Sequence, residues 1–529
     1  MSASLAINYT HDASVCVLDE RSRIRFYSKE ERFSRRKRDT VPYFSLRAAW
    51  RAGLLEDVER ALIVNWLGFR RDDGYSRYFR RLLARMAPRA AVEDGWGEHH
   101  LYHALCAFGG SPFTEALVVV VDAAGATLDA GGAEEKESVF VVSGRPRASW
   151  RRLHLHASAP VAQDFAGELL VGGPGVCDEY DAVSRHLGFD VLDAGKTMGL
   201  AAYGRADRVV PVPDGGGQPL PVLRGAIDRS TFQPYADLAA AAQERATGRT
   251  LELIEAWVGR TGIRQVCVTG GFAQNSVANG VYARALDGVR FWFDPLSDDG
   301  GISVGAAYRM QGLPTGGTPD LFFSGLDHGT AGATESLAEG VACTPGDLAR
   351  RLANGEVGAL VEGRSEAGNR ALGHRSILCD PRRSDGRAAV NRTKRREWFR
   401  PFAAAVLAEH VEKWFAVDRV APFMMSVVDV RPERASEIPA VTHVDGTCRI
   451  QLLGPGEGGS LRRVVEAFHA LTGVPLVLNT SFNLCGEPLV EAPQDAYRTL
   501  ARSELDWMYM ADERVLLAAS EQPAALGRR

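Results

Sequence analysis

The sequence predicts an α/β fold built from two or more domains. At 529 residues the chain is longer than one domain usually is. Apolar runs that suit buried strands, such as 116–121, alternate with segments of helical character, such as the Ala-rich stretch 235–260. Two of these strands lead directly into Asp122 and into Gly270-Gly271. Polar residues and tight turns at strand ends are typical of the sheet edge where α/β proteins bind ligands.

The composition is that of an ordinary globular protein, with 45% apolar and 24% charged residues. A net charge of -4 and the absence of a long basic run argue against broad nucleic-acid binding. The chain begins without the features of a signal peptide and contains no stretch of eighteen apolar residues. Its eight cysteines show no CxxC spacing. We therefore expect a cytoplasmic protein with reduced thiols and no membrane or nucleic-acid partner.

The first elements are predicted to be strands at 4–9, 15–18 and 23–27, followed by helices at 45–64 and 76–88. A polar turn that contains His11 and Asp12 joins the first two strands. The amides and hydroxyls of such a turn can hold phosphate. His11 is a candidate general base with Asp12 as its neighbour, and a simple hydrogen-bonded turn is the alternative.

A metal site is predicted around His99, His103 and Asp122. On a helix, the spacing of four residues places both imidazoles on one face. Asp122 follows the valine-rich strand 116–121, and a second carboxylate, Asp298 or Asp299, follows the strand at 290–293. Nitrogen and oxygen ligands of this kind suit iron, zinc or manganese. Because the histidine spacing is weak evidence by itself, two surface histidines and a strand-ending aspartate are the alternative.

Two glycine-containing segments could approach a nucleotide. Gly195–Gly204, which contains Lys196, is the start of a short helix, but its glycine spacing differs from that of a Walker P-loop. Gly270-Gly271 forms a tight turn between the strand at 265–269 and a helix that begins near Asn275. A turn of this kind lets the backbone come close to phosphates.

Residues 311–347 have the composition of a linker. A second domain then begins with the strand at 358–363 and is rich in arginine. Arginines at strand ends and turns suit the bidentate capture of phosphate or carboxylate, and a run of surface arginines is the alternative. The candidate residues of this domain are Arg370, Arg375, Lys394, Arg396, Arg400, His443, Asp445, Arg449, Asn479, Ser481 and Asn483.

Taken in order, these motifs resemble the NodU/CmcH family of ATP-dependent O-carbamoyltransferases. The resemblance covers most of the chain. It rests on the following segments: His11–Ser14, Glu30–Phe33, His99–Ala104, Gly195–Gly204, Gly270–Asn275, Asp299–Gly301, Arg370–Leu378, Arg396–Phe402, His443–Gly446 and Asn479–Asn483.

The resemblance implies a two-lobed ASKHA domain, similar to actin and hsp70, at 1–340 and a YrdC-like α/β domain at 345–529. It implies that carbamoyl phosphate is cleaved and adenylated with MgATP in the second domain, and that the first domain transfers the carbamoyl group to a hydroxyl of a small natural product. Lys394, Arg400 and Arg449 match the basic residues of the adenylation site, and His11 and Asp12 are placed at the transfer site. The matched metal ligands are His99, His103, Asp122 and Asp299, with Asp298 as the alternative to Asp299. The remaining candidates in the matched motifs are expected to contact nucleotide or substrate: Lys196, Gly270, Gly271, Asn275, Arg370, Arg375, Arg396, His443, Asp445, Asn479, Ser481 and Asn483.

Two other classes use related folds. One is a carbamoyl-transfer enzyme that modifies tRNA or matures a metalloenzyme, and the other is a non-catalytic ASKHA nucleotide sensor. The low basic charge and the absence of CxxC motifs disfavour the first class. The complete second domain disfavours the second class. The acceptor, the native metal and the oligomeric state, for which a homodimer is one option, stay open.

Overall fold

In the computed structural model the chain divides into two compact units, residues 1–324 and 325–529. The domain limits expected from the sequence, at 340 and 345, lie downstream of this division and stay a prediction. Parts of the expected linker, 316–322 and 329–339, lie outside the described residues. The structure describes residues 3–65, 74–128, 132–158, 168–171, 174–190, 193–208, 225, 227–315, 323–328, 340–417 and 423–519.

The N-terminal unit contains two mixed sheets. Their strands are β1 (Ala3–Asn8), β2 (Ser14–Leu18), β3 (Ile24–Lys29), β4 (Val58–Val64), β5 (Ala91–Gly95), β6 (Glu115–Val121), β7 (Glu135–Ser143), β8 (Ser149–Ala157), β9 (Glu168–Val171), β10 (Gln265–Thr269) and β11 (Arg290–Phe293). In the first sheet the strand order is β3-β2-β1-β4-β5, and in the second it is β11-β10-β6-β7-β8-β9.

The two sheets repeat one topology. β1, β2 and β3 form an antiparallel meander, and β4 and β5 run parallel to β1 on its other side. In the same way β6, β7 and β8 form a meander, and β10 and β11 run parallel to β6. The duplicated arrangement is the two-lobed ASKHA fold, so this expectation is confirmed.

Helices cover and connect the sheets. The chain forms α1 (Glu31–Ser34), α2 (Tyr43–Arg51), α3 (Gly74–Met86), α4 (His99–Gly110), α5 (Val176–His186), α6 (Ala194–Ala201), α7 (Gln233–Thr261), α8 (Ser276–Ala285) and α9 (Ile302–Gln311). Helix α4 packs on β6, β7 and β10, helix α9 packs on β1, β2 and β4, and the two helices pack on each other. The approach is so close that a Cβ on Gly305 would lie 1.8 Å from the Tyr102 carbonyl oxygen. This contact brings the N-terminal end of α4 to the interface between the lobes.

The predicted helix at 45–64 is wrong in its second half. Helix α2 ends at Arg51, Gly53 adopts a φ of +71°, and residues 58–64 form β4. β4 lies between β1 and β5 and is paired on both sides. Burial of Ala61–Val64 in the sheet outweighs the helical preference of the Glu, Arg, Ala and Leu residues in this segment.

The C-terminal unit is built on one ten-stranded mixed sheet. Its strands are β12 (Val341–Ala342), β13 (Gly358–Val361), β14 (Arg375–Cys379), β15 (Ala403–Leu407), β16 (Phe415–Ala416), β17 (Val427–Val430), β18 (Thr447–Leu453), β19 (Leu476–Ser481), β20 (Trp507–Met510) and β21 (Val515–Ala518). They are arranged in the order β12-β21-β20-β13-β14-β19-β15-β18-β17-β16. The helices are α10 (Pro345–Ala353), α11 (Gly386–Thr393), α12 (Gly459–Thr472) and α13 (Pro493–Ala501).

The central strands of this sheet carry the core of the unit. Leu476, Val477 and Leu478 of β19 and Ala404–Leu407 of β15 are almost completely buried. Buried polar residues on these central strands include Arg375 and Ser376 of β14, Gln451 of β18 and Asn479 of β19. The expectation of a C-terminal α/β domain is confirmed, and its assignment as YrdC-like stays a prediction.

Candidate metal centre

Four side chains from three separate elements converge in the N-terminal unit. His99 and His103 lie one turn apart on α4, which is buried along its whole length. Asp122 follows β6, and Asp299 begins the short 3-10 helix Asp299–Gly301. One ligand atom from each of the four residues lies within 4.8 Å of the others. The described residues contain no other group of three or more His, Cys, Asp or Glu with this property.

The histidine Nε2 atoms face both carboxylates. His103 Nε2 lies 3.1 Å from Asp122 Oδ2 and 3.5 Å from Asp299 Oδ1. The corresponding distances from His99 Nε2 are 3.3 Å and 3.6 Å. Two imidazoles and two carboxylates that share one buried space are a donor set that fits a divalent transition metal.

Charge within the cluster changes the pKa of both histidines. Burial by itself would lower the pKa of His99, but Asp299 and Asp122 outweigh it and raise this pKa to about 9. The same carboxylates raise the pKa of His103 to about 10 against the effect of burial. Two adjacent buried carboxylates thus attract positive charge to this position, which a metal cation would also supply.

The glycine turn after β10 positions Asp122. The Gly271 N–H lies 3.2 Å from Asp122 Oδ1, and the Ala123 N–H donates to the same oxygen at 2.8 Å. Gly270 has a φ of +85°, and a Cβ there would lie 2.4 Å from the Val121 carbonyl oxygen. The structure therefore brings the predicted Gly270-Gly271 turn against the end of β6, where it orients a carboxylate of the cluster.

Asp299, not Asp298, faces the histidines. Asp298 Oδ2 instead accepts hydrogen bonds from Lys29 Nζ at 2.9 Å and from Gln274 Nε2 at 3.1 Å. Thr10 Oγ1 lies 3.1 Å from Asp299 Oδ2. Sequence reasoning missed Lys29, whose side chain is only 2% exposed. A lysine in the apolar third strand of the meander was the available signal.

His11 lies at the edge of the cluster. Its Nε2 is 3.6 Å from Asp299 Oδ2, and its Nδ1 is 3.3 Å from Asp12 Oδ2. Its side chain is 44% exposed, whereas those of His99 and His103 are buried. Asp299 is the main cause that raises the pKa of His11 to about 9. A cation held by Asp299 would oppose this effect.

The structure does not bring Lys196 or Asn275 to the cluster. Lys196 forms an ion pair with Asp193 at 2.8 Å, and its Nζ lies 5.7 Å from the centre of the Phe189 ring. Asn275 caps helix α8 by accepting from the Ala278 N–H at 3.1 Å, and it also bonds with Gln243. Their expected role in nucleotide binding stays a prediction.

In the C-terminal unit, Lys394 is bound to the segment that contains Ser481 and Asn483. Its Nζ donates to the Ser481 carbonyl oxygen and, at 3.0 Å, to both the carbonyl and the side-chain oxygen of Asn483. Ser481 Oγ donates to Asn483 Oδ1 at 2.6 Å. Lys394 itself is almost completely buried. The structure thus brings three of the predicted residues together.

Arg396, Arg400 and Arg449 form a second cationic group. Burial and the charges of Arg400 and Arg449 hold the pKa of Arg396 well below its usual range. Burial and Arg400 lower the pKa of Arg449 to about 10. Arg449 Nε is buried without a hydrogen-bond partner among the described residues. Guanidinium groups close enough to disfavour one another's charge form a favourable position for an anion.

The other predicted residues of this unit are mostly held by the protein itself. Arg375 is buried and donates to the backbone carbonyls of Glu362, Gly363, His374 and Glu491. His443 Nε2 bonds with the Phe402 carbonyl at 2.9 Å, and Asp445 accepts from Thr447. Arg370 lies half-buried in a turn before β14. Contacts with substrate stay predictions for all of them.

The chain is similar to one family model and to several known proteins. Residues 349–516 match the family model described as "Carbamoyltransferase C-terminus". The chain is 31% identical to nodulation protein NolO of Bradyrhizobium diazoefficiens over 450 residues, covering 77% of this chain and 76% of NolO. It is 30% identical to a 3'-hydroxymethylcephem-O-carbamoyltransferase of Amycolatopsis lactamdurans, covering 57% of this chain and 61% of that protein. A structure of full-length HypF, bound to phosphate and nucleotide, has a TM-score of 0.38 and 14% identity over 59% of this chain and 55% of HypF.

None of the helices within the described residues is long and apolar enough to cross a membrane. The match to NolO extends over both compact units, and the matched C-terminal model includes Lys394 and the strands that carry Arg449 and Asn479. The chain therefore belongs to the NodU/CmcH family of carbamoyltransferases.

Proposed function

We propose that this carbamoyltransferase makes carbamoyl-adenylate from carbamoyl phosphate and ATP and transfers the carbamoyl group to a hydroxyl of a small natural product. The observation that carries the proposal is the buried cluster of His99, His103, Asp122 and Asp299 beside the exposed His11. The acceptor class is the one suggested by the name of the cephem O-carbamoyltransferase relative.

Adenylation is assigned to the C-terminal unit. Hydrolysis of carbamoyl phosphate yields carbamate and phosphate, and a carbamate oxygen then attacks the α-phosphorus of MgATP and releases pyrophosphate. Carbamate is a weak electrophile, and adenylation gives it a good leaving group. Lys394, Arg400 and Arg449 are proposed to stabilise the phosphate charge that develops in this step.

Transfer is assigned to the N-terminal unit. His99, His103, Asp122 and Asp299 are proposed to hold one divalent ion, with iron favoured and zinc or manganese as alternatives. When bound, such an ion supplies a Lewis acid that polarises a carbonyl or phosphoryl oxygen. His11, oriented by Asp12, is proposed to accept the proton of the acceptor hydroxyl as its oxygen attacks the carbamoyl carbon and AMP leaves.

The test follows pyrophosphate release and carbamoyl transfer together. Purified full-length protein is given MgATP and carbamoyl phosphate, with and without a panel of hydroxylated natural products, and the products are searched by mass spectrometry for the carbamoyl mass increment. We expect pyrophosphate release that depends on carbamoyl phosphate, and a carbamoylated small molecule. No such release, or transfer only to tRNA or a protein, would contradict the proposal.

We further propose that the protein acts in the cytoplasm and that its partners are small molecules, namely carbamoyl phosphate, ATP and the hydroxylated acceptor. A homodimer stays one option for the oligomeric state.

A further inference from the structure

Two side-chain amides form a relay across the central strands of the C-terminal sheet. Gln451 Nε2 donates to the Leu372 carbonyl at 2.8 Å, and Asn479 Nδ2 donates to Gln451 Oε1 at 2.8 Å. Asn479 Nδ2 also lies 3.3 Å from the Ala371 carbonyl oxygen. Because a backbone carbonyl can only accept, Leu372 determines which way both amides face. The relay ends at Asn479 Oδ1, which is therefore an acceptor.

Asn479 Oδ1 has no donor among the residues that the structure describes. The side chain is fully buried, and this oxygen makes no hydrogen bond. A buried acceptor without a donor destabilises a fold, so such atoms in native proteins usually serve a water or a ligand. The buried Asn479 oxygen thus indicates a bound molecule that donates an N–H or O–H group to it.

The strand register places Asn479 among the residues proposed for adenylation. Arg449 on β18 is paired with Ala403 on β15, and Ala403 is paired with Asn479 on β19. Directly paired residues project from the same face of a sheet, as do residues two apart on one strand. Arg449, Asn479 and Ser481 therefore share one face, with the small Ala403 between the first two. Lys394 is hydrogen-bonded to Ser481 on this face.

We propose that Asn479 Oδ1 accepts a hydrogen bond from the amino group of the carbamoyl moiety. This inference rests on the proposed function. Carbamate offers oxygens that suit Arg449 and Lys394, and its only strong donor is the NH₂ group. An acetyl group has nearly the same shape but carries a methyl group in place of NH₂. Asn479 would therefore determine the preference for carbamoyl phosphate over acetyl phosphate.

The experiment compares these two acyl phosphates as probes. ATP–pyrophosphate exchange is measured on the full chain with carbamoyl phosphate and with acetyl phosphate, and the ratio of the two kcat/KM values is the readout. Asn479→Leu removes the oxygen with little change in volume. We expect it to lower the ratio by about 10- to 100-fold, the effect of one buried hydrogen bond.

Gln451→Leu is the matched control. It breaks the same bond between the two amides but leaves the Asn479 oxygen in place, so it should keep the preference for carbamoyl phosphate. Should the leucine variant at position 479 not fold, Asn479→Ala removes the same oxygen and takes its place.

Three results would overturn the inference. The variants at 479 could keep the wild-type ratio. They could instead slow both acyl phosphates equally, as expected if the oxygen serves only a buried water. The Gln451→Leu variant could lose the preference to the same extent. Wild-type protein without exchange dependent on carbamoyl phosphate would contradict the proposed function itself, and this inference with it.

Discussion

His100 and His103 are neighbours on α4 but face different partners. His103 points into the proposed metal centre, whereas His100 Nδ1 bonds with Ser138 Oγ at 2.8 Å. We expect His103→Ala to weaken metal binding by more than the 10- to 100-fold typical of residues that only support a ligand. His100→Asn should retain metal. Metal analysis of the two purified variants is the measurement, and full metal occupancy in His103→Ala would contradict the ligand assignment.

His11 can be tested separately from the metal ligands. His11→Asn keeps some hydrogen bonding but removes the proposed base. General-base catalysis contributes about 10²- to 10⁴-fold, and we expect a loss of this size in transfer from preformed carbamoyl-adenylate. Pyrophosphate release should be unchanged, because His11 lies in the N-terminal unit. Near-normal transfer by the variant would return His11 to a structural role in the turn.

His443 predicts a pH dependence of stability. Burial, together with the charge of Arg449, lowers the pKa of His443 although the Phe402 carbonyl and Asp445 oppose this shift. The unfolded chain therefore binds a proton at about pH 6.5 before the folded chain does. The contribution of the neutral His443 to the free energy of unfolding is therefore fully present above that pH and is lost as the pH falls below it.

His443→Gln removes the titration and places an amide N–H near the position of Nε2, which bonds with the Phe402 carbonyl in the wild type. We expect its Tm to fall less than that of the wild type between pH 7.5 and pH 5. Parallel Tm curves for the two proteins would contradict the assignment of this pH dependence to His443.

Local spacing was enough to predict most of the cluster of His99, His103, Asp122 and Asp299. Helical periodicity alone places His99 and His103 on one face of α4. The apolar run of β6 alone predicts that Asp122 lies at the end of a buried strand. The choice between Asp298 and Asp299 needed a contact with Lys29, 269 residues away in sequence. Local pattern carries no information on such a distant pairing, so it left both aspartates as candidates.

At the level of elements, the turn after β10 supports the end of β6. Gly270 has φ +85° and ψ 165°, a conformation that is essentially restricted to glycine. We expect Gly270→Ala to destabilise the protein by more than the roughly 1–2 kcal/mol typical of left-handed strain, because its Cβ would also meet Val121. It should also weaken metal binding by moving Asp122.

Gly262 is the matched control for backbone strain. Its φ is +72°, but nothing lies within 4 Å of a Cβ built there. Gly262→Ala should therefore cost stability without changing metal affinity. Urea unfolding and metal titration of both variants are the measurements, and equal metal affinity in the two would contradict the supporting role of the turn.

Helices and strands whose apolar residues repeat with one clear spacing were predictable from the sequence, but β4 was not. The meander strands and the long helix α7 appear close to their expected positions. β4 combines residues that favour helices with burial that only pairing to β1 and β5 produces. In the C-terminal sheet, the face shared by Arg449 and Asn479 likewise depends on register between strands that are distant in sequence.

For the whole molecule, we expect that a substitution in one unit abolishes one proposed half-reaction and leaves the other intact. Lys394→Ala is expected to abolish pyrophosphate release that depends on carbamoyl phosphate and to retain transfer from preformed carbamoyl-adenylate. His103→Ala should show the opposite pattern. The two assays on the two full-length variants are the measurement. Loss of both activities in a folded Lys394→Ala protein would contradict the assignment of one half-reaction to each unit.

The position of Asp299 in the chain also bears on how the protein is made. Asp122 precedes Asp299 by nearly 180 residues. At a synthesis rate of about 5–20 residues per second, the ribosome needs roughly 10 to 35 s to pass from one to the other. During that interval a nascent chain contains three of the four proposed ligands. The complete set of proposed ligands arises only after the second sheet has been synthesised, so we expect the full-affinity site to form late in biosynthesis.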